Sequence, residues 1–313
     1  MTPDNQTLTA VLFPGQGSQV RDMGRDLAES DPAYMDLWKQ AEKISGLALR
    51  EIYWGGTDKD MAYTRPLQPA MTVVTLSLWM HAGERLKPAY LAGHSLGEFS
   101  ALAAAKALSI EQTLETVCLR GRLMAEAGSG DEGMAAILKL PLAQVEEIVV
   151  KAKDETNAEL YIANYNSPGQ FVVGGKEKAL DAAGILAKEA KGRAIRLAVS
   201  GAFHGPLMRE AASELSRLMD KLDWREAKIP IHFNASAGTE LDPEKIHAVM
   251  DRQMTSSVRW IEIIEAQWRK NVRKWFEFGP KGVLTKLLKA NLADKDEPWE
   301  GVGVADLKQA GEL

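Results

Sequence analysis

A chain of 313 residues can bury a substantial core, either as one large domain with an insertion or as two domains. Its formal net charge of -5, with 45% hydrophobic and 26% charged residues, is ordinary for a water-soluble globular protein and argues against general binding to nucleic acid or anionic membranes. The lone cysteine, Cys118, excludes an internal disulfide and a cysteine-based metal cluster and fits a reducing, cytoplasmic setting.

Met1 to Gln6 is polar with no apolar signal core, and no apolar run reaches membrane-spanning length. Leu8 to Phe13 then reads as a buried strand that breaks at Pro14-Gly15-Gln16-Gly17-Ser18-Gln19. The two glycines let backbone approach a ligand closely, or they make a plain strand-to-helix connection. No Gly-Lys-Ser/Thr follows, which argues against a phosphate loop. Helices are predicted over Asp22–Glu29 and Pro32–Ser45, with a long apolar helix from Pro69 to Leu86.

The next run, from Tyr90, ends in Gly93-His94-Ser95-Leu96-Gly97, and an alanine-rich helix over Phe99–Leu108 follows at once. Strand, Gly-x-Ser-x-Gly and helix in that order match a nucleophile elbow, in which a sharp turn lifts a serine hydroxyl clear of the backbone. The bland reading of Ser95 is a small residue filling a turn. A helix starting there aims free N–H groups and a positive dipole end at whatever forms on the serine.

Ile110 to Ala127 has helical spacing, with Leu114, Val117, Cys118, Gly121 and Met124 on one face. Arg120 lies at the edge of that face and Arg122 points elsewhere, into solvent. An inward guanidinium needs an anion, and on spacing alone an internal salt bridge is favoured over a ligand carboxylate. Cys118 reads as a buried structural thiol.

The polar run Gly128 to Gly133 marks a boundary. After it come strand 134–138, helix 142–153, strand 159–165, strand 170–173, helix 176–190 and strand 194–197. That is the β-α-β-β-α-β order of a ferredoxin-like unit. The expected organisation is therefore a large α/β-hydrolase-like subdomain with a mostly parallel sheet, residues 1–131 and 199–313, and an inserted ferredoxin-like subdomain, residues 132–198, walling a cleft. Beyond Val199 to Met208, a helix is expected through Leu222, a strand over 229–233 and helices over 243–253 and 261–272. A strand over 274–278 and a helix over 283–290 follow, and the tail from Asp294 reads as uninformative.

A serine hydroxyl needs a base, and histidine suits neutral pH. Of the five histidines, His94 adjoins Ser95 on a strand and faces away from it. His81 and His247 sit in charged helical surroundings and read as surface residues, and His232 reads as a satisfied core group. Elimination leaves His204, in a glycine-bounded loop, with a purely structural loop histidine as the alternative. No acid can be chosen to orient it, and a backbone carbonyl could serve.

Five blocks then carry a resemblance in order along nearly the whole chain: Phe13 to Gln19, Gly93 to Glu98, Leu119-Arg120-Gly121, Gly201-Ala202-Phe203-His204 and Glu277-Phe278-Gly279-Pro280. Together they resemble the malonyl-CoA:acyl carrier protein transacylases, acyltransferases of fatty acid and polyketide synthesis. The resemblance implies that Ser95 takes a malonyl ester, that His204 is base and then acid, and that Gln16 and the Leu96 N–H form the oxyanion hole. It implies that Arg120 grips the malonyl carboxylate, against the salt-bridge reading, and that Phe203 disfavours a methylmalonyl group. It places the histidine-orienting carbonyl in Val258-Arg259-Trp260, with Arg259 the candidate, although Ser257 stands where many relatives carry proline.

No metal or bound cofactor is implied: malonyl-CoA is substrate, and an acyl carrier protein, the expected partner, brings the phosphopantetheine. A monomer is expected. Carrier docking wants a basic patch, for which Arg269, Lys270, Arg273 and Lys274, read at helical spacing, compete with a solvated helix face. The rivals are a serine hydrolase or thioesterase built on the same elbow, and a non-catalytic carrier-docking subunit.

Overall fold

The computed structural model describes residues 7–128 and 130–313. The polar stretch 1–6 and Ser129, in the predicted boundary loop, lie outside the described residues. In chain order the strands are β1 (Leu8–Phe13), β2 (Tyr90–Gly93), β3 (Glu132–Leu138), β4 (Leu160–Ser167) and β5 (Gln170–Lys176). They continue with β6 (Arg193–Arg196), β7 (Ile231–His232), β8 (Thr239–Glu240), β9 (Val272–Phe278) and β10 (Glu300–Val304).

One sheet has the order β10-β9-β1-β2-β7-β8, parallel throughout except for the β7–β8 pair. The other has the order β4-β5-β3-β6 and is antiparallel throughout. The mostly parallel α/β sheet and the ferredoxin-like unit expected from the alternation of elements are both present.

Burial explains the apolar run of β1. Val11 and Phe13 enter the large cluster with the helix Thr64–Ala82, while Ala10 and Leu12 face a second cluster around Trp260, Trp268 and Trp275. A central strand covered on both faces has no polar side to alternate with. A third cluster, including Ile137, Val145, Phe171 and Leu180, fills the smaller sheet against its helices.

β1 and β2 lie side by side in parallel at the middle of the large sheet, with Phe13 opposite Gly93. The loops leaving their carboxyl ends, Pro14–Gln19 and the elbow, therefore emerge together, where open α/β sheets gather ligands.

Three expectations are corrected. The helix placed from Pro69 begins at Thr64. Proline suits a first turn and suggested the start, but here Pro66 occupies that turn and Pro69 lies inside the helix. The segment Asp22–Gly24 is a turn with left-handed backbone at Asp22 and Gly24, so the first helix starts only at Arg25. The tail from Asp294 is ordered: β10 extends the sheet with Val304 buried, and a short helix, Leu307–Gly311, starts with the Asp306 side chain accepting the Gln309 N–H.

Candidate active site

The chain turns sharply at Ser95, whose φ of 52° is left-handed, as an elbow requires. A Cβ on Gly93 would run into the Gly97 carbonyl, and one on Gly97 into the Phe13 carbonyl, so the crossing of strand and helix tolerates glycine alone. Asn234, just after the neighbouring strand β7, fixes the turn. Its Oδ1 accepts the Ser95 N–H at 2.7 Å, and its amide donates to the Gly93 carbonyl at 2.7 Å. With the Ser95 N–H engaged, the Leu96 N–H at the head of the helix Gly97–Ala104 has no bonded acceptor among the described residues.

His204 lies on a loop between the two sheets, also with left-handed backbone (φ 59°), and its Nε2 is 2.6 Å from Ser95 Oγ. Its Nδ1 is 3.2 Å from the carbonyl oxygens of both Gln253 and Ser256. Carbonyls only accept, so Nδ1 carries the proton and Nε2 presents a lone pair to the serine hydroxyl. Burial, with the nearby Arg120 charge and His94, pushes the imidazole pKa down to about 3, so the ring is neutral at physiological pH.

Arg120, on the helix Ile110–Glu126, is buried with its Nη2 3.2 Å from Ser95 Oγ. Nη1 donates to Gln68 Oε1 at 2.8 Å and Nε to Gln253 Oε1 at 3.2 Å, while the guanidinium carbon stands 5.5 Å from the Phe99 ring centroid. Burial lowers its pKa to about 10, which leaves it charged, and no carboxylate is bonded to it among the described residues. Gln16, with its side-chain N–H on Thr64 Oγ1 at 3.3 Å, Leu96 and Phe203 line the same cavity of about 100 Å³, closed by Met124, Met134 and Leu197. A hydroxyl hydrogen-bonded to a neutral imidazole, beside a buried cation with no bonded carboxylate among the described residues, can attack the carbonyl of an anionic acyl compound.

Residues 11–309 match the acyl transferase domain family. The chain belongs to this family of acyl transferases. It is 38% identical over 284 residues, 90% of this chain and 89% of the relative, to the malonyl CoA-acyl carrier protein transacylase of Bacillus subtilis. Among solved structures it resembles an acyl carrier protein S-malonyltransferase from Vibrio cholerae, with TM-score 0.89, 36% identity and coverage of 98% and 99% of the two chains. A malonyl-transacylase in complex with its type II PKS acyl-carrier protein gives a TM-score of 0.90 at 31% identity, covering 97% and 98%.

Arg259 does not orient the histidine of this acyl transferase. It precedes the helix Trp260–Arg269, and its carbonyl is committed to the Ile263 N–H at 3.1 Å, while its side chain pairs with Glu262 and reaches the Ser236 carbonyl. The carbonyls at His204 come from three and six residues earlier. Ser257, the serine noted before Val258, donates its hydroxyl to the Ile162 carbonyl at 2.7 Å.

Residues missed from the sequence are Gln68, Asn234 and Gln253. Gln253 touches three partners at once: its N–H donates to the Ser95 carbonyl at 2.9 Å, its Oε1 takes Arg120, and its carbonyl takes His204. An amide carries no titration signal, and only its placement reveals it. Glu98, inside the quoted motif, is fully buried and accepts the Asn234 N–H at 2.7 Å; burial raises its carboxyl to about 7.

His94 packs on Trp260 and bonds Asn166 at 2.8 Å, away from the serine hydroxyl as expected. His232 is buried against the Ala237 carbonyl, and His81 meets the Tyr34 hydroxyl at 3.3 Å. His247 is only partly exposed, set between Asp220 and Asp251. Burial raises the Cys118 thiol to about 12, which leaves it inert. The basic stripe breaks up as well. The helix ends at Arg269; Arg273 and Lys274 are on β9, paired with Glu297 and Glu300.

Proposed function

We propose that this acyl transferase carries a malonyl group from malonyl-CoA to the phosphopantetheine thiol of an acyl carrier protein, through an ester on Ser95. The observation that carries the malonyl assignment is Arg120: a buried cation with neutral partners, one of its N–H groups aimed at the serine oxygen. A cation left open in that place suits an acyl group bearing a second carboxylate.

In the first half-reaction Ser95 Oγ attacks the thioester carbonyl while its proton passes to His204 Nε2. The Leu96 N–H and the Gln16 amide hold the charge on the carbonyl oxygen. Collapse breaks the carbon–sulfur bond, and His204 returns the proton to the departing CoA sulfur. The carrier thiol then gives its proton to His204 and attacks the Ser95 ester, and Ser95 leaves with that proton restored. In both halves Arg120 binds the malonyl carboxylate and so fixes the carbonyl over the serine. The chemistry in this reading runs on side chains and backbone N–H groups alone.

The reading includes one catalytic unit, residues 1–131 and 199–313, with 132–198 inserted as the second wall. It also includes a monomeric enzyme in the cytoplasm, the setting a single cysteine suits. No helix among the described residues is long and apolar enough to cross a membrane.

The test is mass spectrometry of the intact chain after exposure to malonyl-CoA. A malonyl adduct on the Ser95 peptide, absent in Ser95→Ala and discharged by an acyl carrier protein, is expected. Rapid release of free malonate without carrier would instead make the protein a hydrolase.

A further inference from the structure

The loop that bears the imidazole stores backbone strain. A residue with a β-carbon in the left-handed region, as His204 is at φ 59°, is strained and persists only where its surroundings hold it. At His204 the hold comes from β4, on the other sheet.

Tyr161 on β4 donates its hydroxyl to the Ala202 carbonyl at 2.6 Å, two residues before the histidine. Its ring fills the space that a Cβ on Gly205, the residue after the histidine, would need. Across the ladder it pairs with Gly174, where a Cβ would come 3.1 Å from the same ring. Burial pushes the phenol pKa above its ordinary value, so the hydroxyl stays a donor.

Farther along, the same strand holds the segment that faces the other side of the imidazole. Val258 donates to the Ala163 carbonyl at 2.8 Å and accepts the Tyr165 N–H at 2.9 Å, while Ser257 reaches the Ile162 carbonyl. That segment begins at Ser256, whose carbonyl faces His204 Nδ1. One strand therefore holds both the loop that carries the ring and the segment whose carbonyl accepts the Nδ1–H bond.

We propose that Tyr161 is a positioning residue for His204, its bond to the Ala202 carbonyl fixing the 202–205 loop so that Nε2 meets the Ser95 hydroxyl. The inference rests on the reading of His204 as the base. It assigns the inserted unit a part in activating the serine, beyond forming a wall of the cleft.

Tyr161→Phe in the full chain keeps the ring and deletes only the hydrogen bond. A fluorophosphonate probe labels an activated serine without needing the Arg120 grip, so its labelling rate reports the Ser95–His204 pair directly. Labelling and kcat should both fall about tenfold, the effect of one lost hydrogen bond expressed at the reacting pair, with KM for malonyl-CoA within about twofold of the parent. In a His204→Ala background, where labelling is slow and followed over hours, Tyr161→Phe should change the rate by less than about twofold. Gly205→Ala, which forces the ring away, should give the same pattern and serves if Tyr161→Phe folds poorly.

Unchanged labelling in Tyr161→Phe would overturn the proposal, as would equal slowing in both backgrounds, since the latter marks a general structural role. If His204→Ala alone labels as fast as the parent, the base assignment fails and takes this proposal with it.

Discussion

Arg120 Nη2 lies 3.2 Å from Ser95 Oγ, while the other guanidinium nitrogens are held by the uncharged amides of Gln68 and Gln253. A guanidinium taken out of water needs either a counter-ion or a full set of acceptors. Here the amides satisfy the inner edge and the outer edge rests on the serine oxygen, which an entering carboxylate can replace with a paired, charge-assisted contact.

Arg120→Ala is accordingly expected to cut kcat/KM for malonyl-CoA by about a hundredfold or more, the scale of losing one partner of a buried charge pair. Transfer of acetyl, which has no second carboxylate, should be kept or rise. Steady-state rates with the two thioesters decide it, and an unchanged malonyl preference would remove Arg120 from the substrate site.

Phe203 closes the same cavity beside Met124, Met134 and Leu197. A branch methyl on the acyl chain would have to share the space of that ring. Phe203→Ser should raise the ratio of methylmalonyl to malonyl transfer by about 10- to 100-fold, the usual range for one methyl group in an apolar pocket. Competition between the two CoA esters, read by mass of the Ser95 peptide, measures the ratio directly.

The parts legible in the sequence are those whose chemistry imposes a local pattern. Glycines at 93 and 97 around Ser95 announce a crossing that excludes β-carbons, and the alternation of strands and helices announces the two sheets. What was hidden depends on contacts between distant segments. The carbonyls facing His204 belong to Ser256 and Gln253, and not Arg259, because the helix after Arg259 claims that carbonyl for its own first turn. Asn234 and Gln253 are neutral amides whose roles exist only once the elbow lies beside them. Gly301 and Gly303 disguise β10, which becomes a strand because β9 offers it an edge.

Gly97 sits where the helix after the elbow passes over β1. A methyl group there would overlap the Phe13 carbonyl and come 3.1 Å from the Phe13 Cβ, both in a rigid central strand. Gly97→Ala should therefore destabilise the fold by about 1–3 kcal/mol despite alanine's better helix propensity. Because β1 leads directly into the loop bearing Gln16, Ser95 labelling should fall as well. Urea unfolding gives the first quantity, and a midpoint equal to or above the parent's would contradict the packing.

His204 and Glu98 make stability respond to pH in opposite directions. His204 has a folded pKa of about 3, below the roughly 6.5 of an unfolded histidine, so between these values the unfolded chain binds the extra proton. Its contribution is present above pH 6.5 and is lost as pH falls. Burial holds the Glu98 carboxyl at about 7, although bonds from Asn234 and Gln253 and the Arg120 charge pull the other way. An unfolded glutamate titrates near 4.3, so between about 4.3 and 7 the folded chain keeps a proton that the unfolded chain has released. Its contribution is present at low pH and lost as pH rises through 7. Glu98→Gln keeps an acceptor for the Asn234 N–H and deletes only this second response. Relative to the parent it should gain stability between pH 5 and pH 8, on the order of 2 kcal/mol, with the difference levelling off above 8. Urea midpoints of both proteins across that range measure it, and parallel curves would mean that Glu98 titrates alike in the folded and unfolded chains.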